Sequence, residues 1–156
     1  MQKRSAGIIL YRFRNSLPEI LLVHPGGPFW AKKDLGAWSI PKGDFDDNEN
    51  PLDAAKREFE EETGIKIAGK FIELTPVKQK AGKLIYAWAL QKDVNTVEVK
   101  SNIFEMQWPP KSGKMKEFPE IDKAEWFGIE KTKEKVLQGQ LPLIMELMGK
   151  IGEAKC

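Results

Sequence analysis

The stretch GDFDDNENPLDAAKREFEEETGI, residues 43–65, decides the fold of this chain. Asn50 followed by Pro51 predicts a helix start, because Asn caps free backbone N–H groups and Pro is tolerated at the first helical position. Gly64 predicts the helix end, since glycine readily adopts the left-handed conformation of a C-terminal cap. Before the helix, a turn at 41–43 leads into an acidic loop. We therefore expect one well-defined helix after a polar loop.

The predicted helix has two faces of different character. One face carries apolar residues at helical spacing, which we expect to pack on the core: Leu52, Ala55 and Phe59. Another edge projects three carboxylates within a sector roughly 100° wide: Glu58, Glu61 and Glu62. Three anions this close repel one another, so they are destabilising or partly protonated on their own. A divalent cation such as Mg²⁺ or Mn²⁺ prefers oxygen ligands and removes this conflict.

The acidic edge also contains a cation. Arg57 stands four residues before Glu61, where its guanidinium can fork onto a carboxylate and hold it in place. The alternative is that residues 58–62 are only a solvated helix face, which is the usual meaning of an isolated acidic run. The spacing of the whole stretch favours a functional site over that alternative.

Nine residues of this stretch resemble the signature of the Nudix hydrolase family, Gly-x5-Glu-x7-Arg-Glu-U-x-Glu-Glu-x-Gly-U, in which U is a bulky apolar residue. The matching residues are Gly43, Glu49, Arg57, Glu58, Phe59, Glu61, Glu62, Gly64 and Ile65. The resemblance implies an α+β fold, a Nudix-type α/β/α sandwich with a mixed β-sheet, in a single domain over residues 1–156. It also implies a hydrolase that binds divalent metal and cleaves a nucleoside diphosphate linked to another group.

The resemblance assigns roles to the matched residues. The implied metal ligands are the carboxylates of the helix edge, often completed by a glycine carbonyl: Gly43, Glu58, Glu61 and Glu62. Either Glu58 or Glu61 would orient or deprotonate the attacking water, and we favour Glu58. Arg57 would be the partner that holds these carboxylates, and Glu49 would brace the loop. The implied cofactor is Mg²⁺ or Mn²⁺.

A further glutamate lies outside the signature. Nudix enzymes frequently carry a Glu several residues ahead of a Trp-Phe strand, on a loop that faces the signature helix, where it binds a further metal or helps position water. Glu120 lies six residues before Trp126 and fits that place. Glu117 and Glu125 are rivals. In the alternative interpretation, all three are solvent-facing charges.

The residues that lead into the signature bear on the substrate. Trp-x-x-Pro-Lys-Gly at 38–43 resembles the Nudix subset that cleaves diadenosine polyphosphates, and also enzymes of diphosphoinositol polyphosphates. Lys42 is then expected to meet a phosphate, and an exposed turn lysine is the alternative. In diadenosine tetraphosphate hydrolases a similar strand supplies a tyrosine that stacks on adenine, and Tyr86 occupies the matching place. Such stacking is worth about 1–3 kcal/mol. The alternative is that Tyr86 packs inside the sheet.

The rest of the chain alternates strand and helix patterns. Strands are predicted at 5–13, 19–24, 36–43, 65–74, 83–90, 102–108 and 126–127. Two prolines, a glycine and three lysines predict a loop at 109–116, either a mobile basic flap or a solvated connection. Helices are predicted over 130–139 and 141–151. His24, the only histidine, lies at the end of a predicted strand. It is either a strand-end residue with a local hydrogen bond or a proton donor near the phosphates.

Composition sets limits on the function. The chain has 156 residues, 41% of them hydrophobic, which suits one domain with a real core. Its 25 basic and 23 acidic residues leave a net charge of +2, which argues against a binder of duplex nucleic acid. No apolar run approaches the roughly 20 residues that span a bilayer, so no membrane partner is expected. The N-terminus lacks the apolar stretch of a signal peptide, and we expect a cytoplasmic protein.

The sequence therefore predicts a metal-dependent pyrophosphohydrolase whose partner is a small-molecule nucleotide. The favoured substrate is a dinucleoside polyphosphate such as diadenosine tetraphosphate. The alternatives are a nucleoside triphosphate pyrophosphatase, acting on ordinary or oxidised nucleotides, and an enzyme of capped or triphosphorylated RNA ends. A nucleotide-sensing module without catalysis is disfavoured, because the signature keeps all its glutamates. No oligomeric state is implied.

Overall fold

Two long strands open the fold and form its centre. A computed structural model describes residues 3–79 and 82–154 of the chain. Arg4–Arg14 (β1) turns directly into Leu17–Pro25 (β2), and the two strands pair in antiparallel register. Asn15 and Ser16 make the turn with φ angles of 53° and 65°. Positive φ at both residues suits a two-residue hairpin turn, and Asn adopts it more readily than most residues.

The remaining elements follow in chain order. The strands are Lys42–Phe45 (β3), Ile72–Glu73 (β4), Val77–Lys78 (β5), Leu84–Gln91 (β6), Ile103–Gln107 (β7), Met115–Pro119 (β8) and Ile121–Gly128 (β9). The helices are Pro51–Thr63 (α1), Ile129–Lys135 (α2) and Leu141–Ala154 (α3), with short 3₁₀ turns at Thr96–Glu98 and Gln138–Gln140.

The main sheet is mixed, because β1 pairs with neighbours of both orientations. Within the described residues its order is β4-β6-β1-β2-β9, where β3 adds to the first half of β1 and β5 adds to β6. β1 and β6 are parallel, whereas β2, β3 and β9 join by antiparallel pairing. Parallel neighbours need a long crossover connection, and the segment carrying α1 supplies it.

Helices cover both faces of the main sheet. On one face α1 buries Ala54, Ala55 and Phe59 against alternate residues of β1 and β6. On the other face α3 buries four apolar residues at helical spacing: Leu143, Ile144, Leu147 and Ile151. Because successive side chains of a strand point to opposite faces, a strand buried on both sides has few polar residues, as β1 does. The predicted α+β sandwich with a mixed sheet is confirmed.

A second, two-stranded sheet stands apart from the main sheet. β7 and β8 pair in antiparallel register from Ile103 opposite Pro119 to Gln107 opposite Met115. The loop predicted over 109–116 is therefore too long, since Met115 and Lys116 belong to β8. Their exposed, unbranched side chains carry little strand signal, and the pairing with β7 decides their conformation. This hairpin ends directly before Glu120.

Two predicted strands and the predicted turn at 41–43 are wrong in extent. In 36–43 only isolated bridges form before β3, because the Ile40 N–H donates to the Gln140 side chain at 3.0 Å and Pro41 has no N–H. The segment 41–43 is not a turn, since β3 begins at Lys42. In 65–74 only β4 forms, and Gly69 with φ of 144° interrupts the rest.

Within the described residues, no helix is both long and apolar enough to cross a membrane.

Candidate active site

Helix α1 begins and ends as its sequence predicts. The Asn50 side-chain oxygen accepts from the N–H groups of Leu52 and Asp53 at 3.0 and 3.1 Å. Gly64 adopts φ of 75° and donates its N–H to the Glu60 carbonyl at 2.7 Å. Both caps satisfy backbone groups that a helix end leaves free. They fix which residues of α1 face the sheet and which form its acidic edge.

Arg57 is the centre of a carboxylate network. Its guanidinium donates two hydrogen bonds to Glu49, at 2.7 and 2.8 Å. A third nitrogen, Nη1, donates to Glu58 at 2.8 Å and to Glu61 at 3.2 Å. The hydrogen bonds that Arg57 donates to Glu49 are the main cause that raises the pKa of Arg57 above its ordinary range. A planar guanidinium suits this fork, which sets the orientation of three carboxylates at once.

Gly43 lies directly under the Glu58 carboxylate. It pairs with Ala6 of β1, so its position is fixed by the sheet. A Cβ atom added at Gly43 would lie 1.8 Å from Glu58 Oε2 and 2.0 Å from its Cδ. Only glycine leaves room for this approach, which brings one carboxylate of the acidic edge against the backbone of β3. The structure thus joins the first and the middle parts of the signature.

Burial disfavours the charged form of two carboxylates of the acidic edge. Burial raises the pKa of Glu62 to about 8, although the Lys42 backbone N–H donates to it at 3.2 Å. Burial also raises the pKa of Glu58, with smaller contributions from the charges of Glu61 and Glu120 that oppose the effect of Arg57. These shifts mark a group of anions that a cation would stabilise.

Glu120 lies next to this group. Its side chain is exposed, and partial desolvation by its neighbours, followed by the charge of Glu61, raises the pKa of its carboxyl. A chain of backbone hydrogen bonds connects it to α1, because Asn102 donates to the Glu61 carbonyl at 3.1 Å and Glu120 donates to the Asn102 carbonyl at 2.8 Å. The rivals Glu117 and Glu125 lie on β8 and β9, opposite Glu105 and Leu22.

Lys42 is half-buried on β3 and is not an exposed turn lysine. Burial, and then the charge of Lys83, lowers its pKa, while Glu62 and Asp44 oppose the effect. Lys83 donates to Asp44 at 2.8 Å, and Ser5 donates to the same carboxylate oxygen at 2.8 Å. Sequence reasoning missed Lys83 and Asp44, because only the pairing of β1 with both β3 and β6 brings them together.

Tyr86 shares a sheet face with Gly43. Both residues lie opposite Ala6, on the two strands that flank β1, so their Cα atoms are about 10 Å apart. The Tyr86 ring is half-buried and meets Phe45 edge-on at 5.9 Å between centroids. It lines a cavity of about 370 Å³ with residues of the α1 N-terminus and the sheet: Asn50, Pro51, Leu52, Glu73 and Trp88.

His24 has a structural position. Its side chain is buried, with Nδ1 at 2.8 Å from an Asp122 carboxylate oxygen and Nε2 at 2.7 Å from the Lys33 carbonyl. The ring also meets Trp38 edge-on at 5.1 Å between centroids. Since protein groups occupy both nitrogens, His24 braces the segment after β2 against β9. Of the two roles left open by the sequence, the structure favours the local hydrogen bonds.

The donor set fits a hard divalent cation, although its oxygens do not enclose one. Among residues 3–79 and 82–154, no three His, Cys, Asp or Glu side chains form a ready metal cluster. Instead, Arg57 holds Glu58 and Glu61, and the Lys42 N–H holds Glu62. Carboxylate and carbonyl oxygens are the ligands that Mg²⁺ and Mn²⁺ prefer.

Glu62→Gln is expected to stabilise the metal-free protein at pH 8. The folded state holds a proton on Glu62 more tightly than the unfolded chain, because its pKa is raised to about 8. The stability that this proton contributes is present below pH about 4.5 and is lost as the pH rises through about 8. The neutral amide avoids that loss, so its melting temperature at pH 8 should exceed wild type by about 2–4 °C.

The measurement is thermal unfolding in a chelator at pH 5, 7 and 8. The matched control is Glu60→Gln, which removes an exposed charge from the same helix and should show no such pH dependence. A Glu62→Gln protein that is no more stable than wild type at pH 8 contradicts the prediction.

Comparisons with known proteins agree with this geometry. The model of the NUDIX domain family matches residues 1–147. The asymmetrical bis(5'-nucleosyl)-tetraphosphatase of Mus musculus is 37% identical over 113 residues, which cover 64% of this chain and 72% of that protein. The RNA pyrophosphohydrolase of Erythrobacter litoralis is 54% identical over 58 residues, 35% of each protein.

A solved structure gives the same fold at low identity. The Ap4A hydrolase of C. elegans superposes with a TM-score of 0.62 over 97% of this chain and 99% of that chain, at 19% identity. That likeness concerns the fold alone. The family match extends over nearly the whole chain and includes every signature residue from Gly43 to Ile65. The chain therefore belongs to the Nudix family, whose hydrolases act on pyrophosphate bonds and generally need divalent cations, and it is a hydrolase of that family.

Proposed function

We propose that this Nudix hydrolase uses Mg²⁺ or Mn²⁺ to cleave a dinucleoside polyphosphate such as diadenosine tetraphosphate. The observation that carries the proposal is the placement of Tyr86 and Gly43 on one sheet face, about 10 Å apart across β1. A base stacked at Tyr86 would leave its phosphates within reach of the acidic edge of α1. The identity to the tetraphosphatase of Mus musculus supports the same substrate class.

The proposed metal ligands are the carboxylates on and beside α1, with one backbone carbonyl: Gly43, Glu58, Glu61, Glu62 and Glu120. When bound, the cation neutralises phosphate charge and lowers the pKa of a bound water. Glu58 is our proposed base, because burial raises the pKa of its carboxyl and makes it a better proton acceptor. Arg57 keeps Glu58 and Glu61 in position through Nη1.

Lys42 is proposed to bind a phosphate. Its half-buried ammonium lies within electrostatic range of Glu62 and Glu58 and beside a second cation, Lys83. Burial lowers the pKa of Lys42 most and the charge of Lys83 lowers it further, and an incoming phosphate would offset both effects. The pair therefore favours an anionic substrate over a neutral one.

Tyr86→Ala is expected to raise the KM for diadenosine tetraphosphate by about 5- to 150-fold, the value of one lost base–aromatic stack. Tyr86→Phe keeps the ring and is the matched control, which should stay near wild type. The measurement is metal-dependent hydrolysis, with Mg²⁺ and with Mn²⁺, of diadenosine polyphosphates, nucleoside triphosphates, oxidised nucleotides, ADP-ribose and a diphosphoinositol polyphosphate, with chromatographic product analysis. If triphosphates turn over faster than every dinucleoside polyphosphate, the substrate assignment is wrong.

A second candidate substrate is a triphosphorylated or capped RNA end, whose reacting bond is chemically the same. The identity of 54% over 58 residues to the RNA pyrophosphohydrolase of Erythrobacter litoralis favours it. Release of inorganic phosphate or pyrophosphate from a 5'-triphosphorylated oligonucleotide, measured beside the small nucleotides, distinguishes the two. The complete set of signature glutamates favours either substrate over nucleotide sensing without catalysis.

A further inference from the structure

The β7–β8 hairpin and the segment after β2 meet beside Glu120. Gly26 donates its N–H to the Glu120 carbonyl at 2.8 Å. A Cβ atom added at Gly27 would lie 2.9 Å from the Phe104 ring, so the hairpin packs tightly on this segment. Farther along, the Phe29 and Trp108 rings meet edge-on, with centroids 6.1 Å apart. These contacts join two segments, distant in sequence, into one surface that begins at Glu120.

This surface combines aromatic rings with lysines. We call it the aromatic–lysine surface and define it by six residues: Phe29, Trp30, Lys33, Trp108, Lys111 and Lys114. Phe29 is 65% exposed, and the two tryptophans are half-buried. Lys33 Nζ lies 4.9 Å from the centroid of the Trp30 ring. The Trp108 backbone N–H donates to the Lys114 carbonyl at 3.0 Å, which fixes the backbone of the hairpin tip, and so the positions from which its lysines extend, relative to Trp108.

The charge on this surface is uncompensated. Across residues 3–79 and 82–154, no ion pair involves Lys33, Lys111 or Lys114, whereas Lys135 and Lys83 elsewhere are paired with aspartates. A single exposed Phe needs no explanation. An exposed ring in contact with a half-buried one, flanked by lysines without ion pairs, is instead a combination that binds unpaired nucleotides, because rings stack on bases and lysines neutralise phosphates.

We propose that the aromatic–lysine surface binds a single-stranded nucleic acid. Its bases stack on Phe29 and Trp108, and its phosphates lie against the lysines of the hairpin tip. Trp108 stands five residues along the hairpin from Ile103, which is paired with Pro119, so it lies about 17 Å from the level of the residue that precedes Glu120. A strand that follows the hairpin from Trp108 therefore reaches the carboxylates after a few nucleotides. This last placement, with the 5' end at the acidic edge, rests on the RNA end that is the second candidate substrate of the proposed function.

The charge and the shape of the aromatic–lysine surface indicate which kind of ligand it binds. An apolar partner that covered Phe29 and Trp108 would bury the charges of Lys111 and Lys114 without counter-charges, which is costly. A duplex hides its bases, so the rings would have nothing to stack on. A free phosphate would contact the lysines but not the rings. Of these occupants, an unpaired strand is the one that contacts both the rings and the lysines.

The test is fluorescence anisotropy of a labelled single-stranded RNA of about ten nucleotides, with a 5'-monophosphate, in a chelator that prevents hydrolysis. Trp108→Ala is expected to weaken binding by about 5- to 150-fold, and Trp108→Phe to stay near wild type. Lys111→Ala with Lys114→Ala should lower the slope of log affinity against log salt by about 1.4. A duplex of the same sequence should bind more weakly.

Controls separate this surface from general charge and from the active site. Lys66→Ala with Lys70→Ala removes two exposed lysines beyond α1 and should leave the salt slope unchanged. Glu61→Gln should lower the rate of hydrolysis by about 10²–10⁴-fold without weakening the binding of the strand, so failure of the proposed function and failure of this inference are distinguishable. Circular dichroism verifies that the Trp108 variants are folded.

Three results overturn the inference. The first is a wild-type protein that hydrolyses nucleotides and does not bind the strand. The second is binding that the Trp108→Ala and hairpin-lysine variants leave unchanged. The third is a Trp108→Ala variant that changes only the KM for diadenosine tetraphosphate, which would show that the surface holds the far nucleoside of a small substrate.

Discussion

Glu61→Gln is expected to lower kcat for the preferred nucleotide by about 10²–10⁴-fold, the contribution of a positioned acid–base or ligand group. Gln has the size of Glu and can still accept from Arg57, which lies 3.2 Å from the present carboxylate. It lacks the charge that binds a cation or receives a proton. Glu58→Gln should fall at the upper end of the same range, because Glu58 is the proposed base. Steady-state kinetics at saturating Mg²⁺ or Mn²⁺ gives both values.

Glu60→Gln is the matched control for both changes. Glu60 belongs to the same helix, but its side chain is exposed and lies away from the Arg57 network. Its kcat and its melting temperature should equal those of wild type. A Glu61→Gln enzyme with wild-type turnover would falsify the assignment of the acidic edge of α1. A Glu58→Gln enzyme that retains more activity than Glu61→Gln would move the role of base to Glu61.

The local signals of the sequence predicted α1 completely. Asn50, Pro51 and Gly64 act on backbone groups no more than four residues away, so their effect is visible without the tertiary structure. The strand predicted at 65–74 shows the opposite case. Ile65 and Ile67 pack on the core, yet the backbone pairs only where Ile72 and Glu73 meet β6. Apolar character predicts burial, but a strand forms only where the backbone lies beside another strand with which it can pair.

The site likewise combines features that the sequence predicts with features that only the tertiary structure brings about. The spacing of Glu58, Glu61 and Glu62 along one helix is a local property, and their common edge follows from the sequence. The approach of Lys83 to Lys42 depends on β1 pairing with β3 on one side and β6 on the other. No local pattern encodes that arrangement. The same holds for Asn102, whose backbone links Glu120 to α1 and which carries no sequence signal at all.

Gly43→Ala is expected to lower kcat by about 100-fold or more and to change stability little. The added methyl would lie 1.8 Å from Glu58 Oε2, and real Cβ atoms do not approach closer than 3.0 Å. The Glu58 carboxylate must therefore move by more than about 1 Å, which also breaks its 2.8 Å hydrogen bond with Arg57. A displacement of this size in a reacting group costs about 10²-fold in rate. Kinetics and thermal unfolding of the same preparation test the expected loss of kcat and the expected small change in stability.

The small effect on stability follows from what the methyl meets. At Gly43 it meets the free end of a flexible side chain, which can rotate away. At Gly7 an added Cβ would meet the Lys42 Cβ and the Pro41 carbonyl, both at 2.7 Å, and neither can move without the sheet. Gly7→Ala should therefore lose about 1–3 kcal/mol of stability, whereas Gly149→Ala, in open space on α3, should be neutral or slightly stabilising. A Gly43→Ala protein that loses as much stability as Gly7→Ala would show that Glu58 is held rigidly, and that its carboxylate is part of the fold as well as of the site.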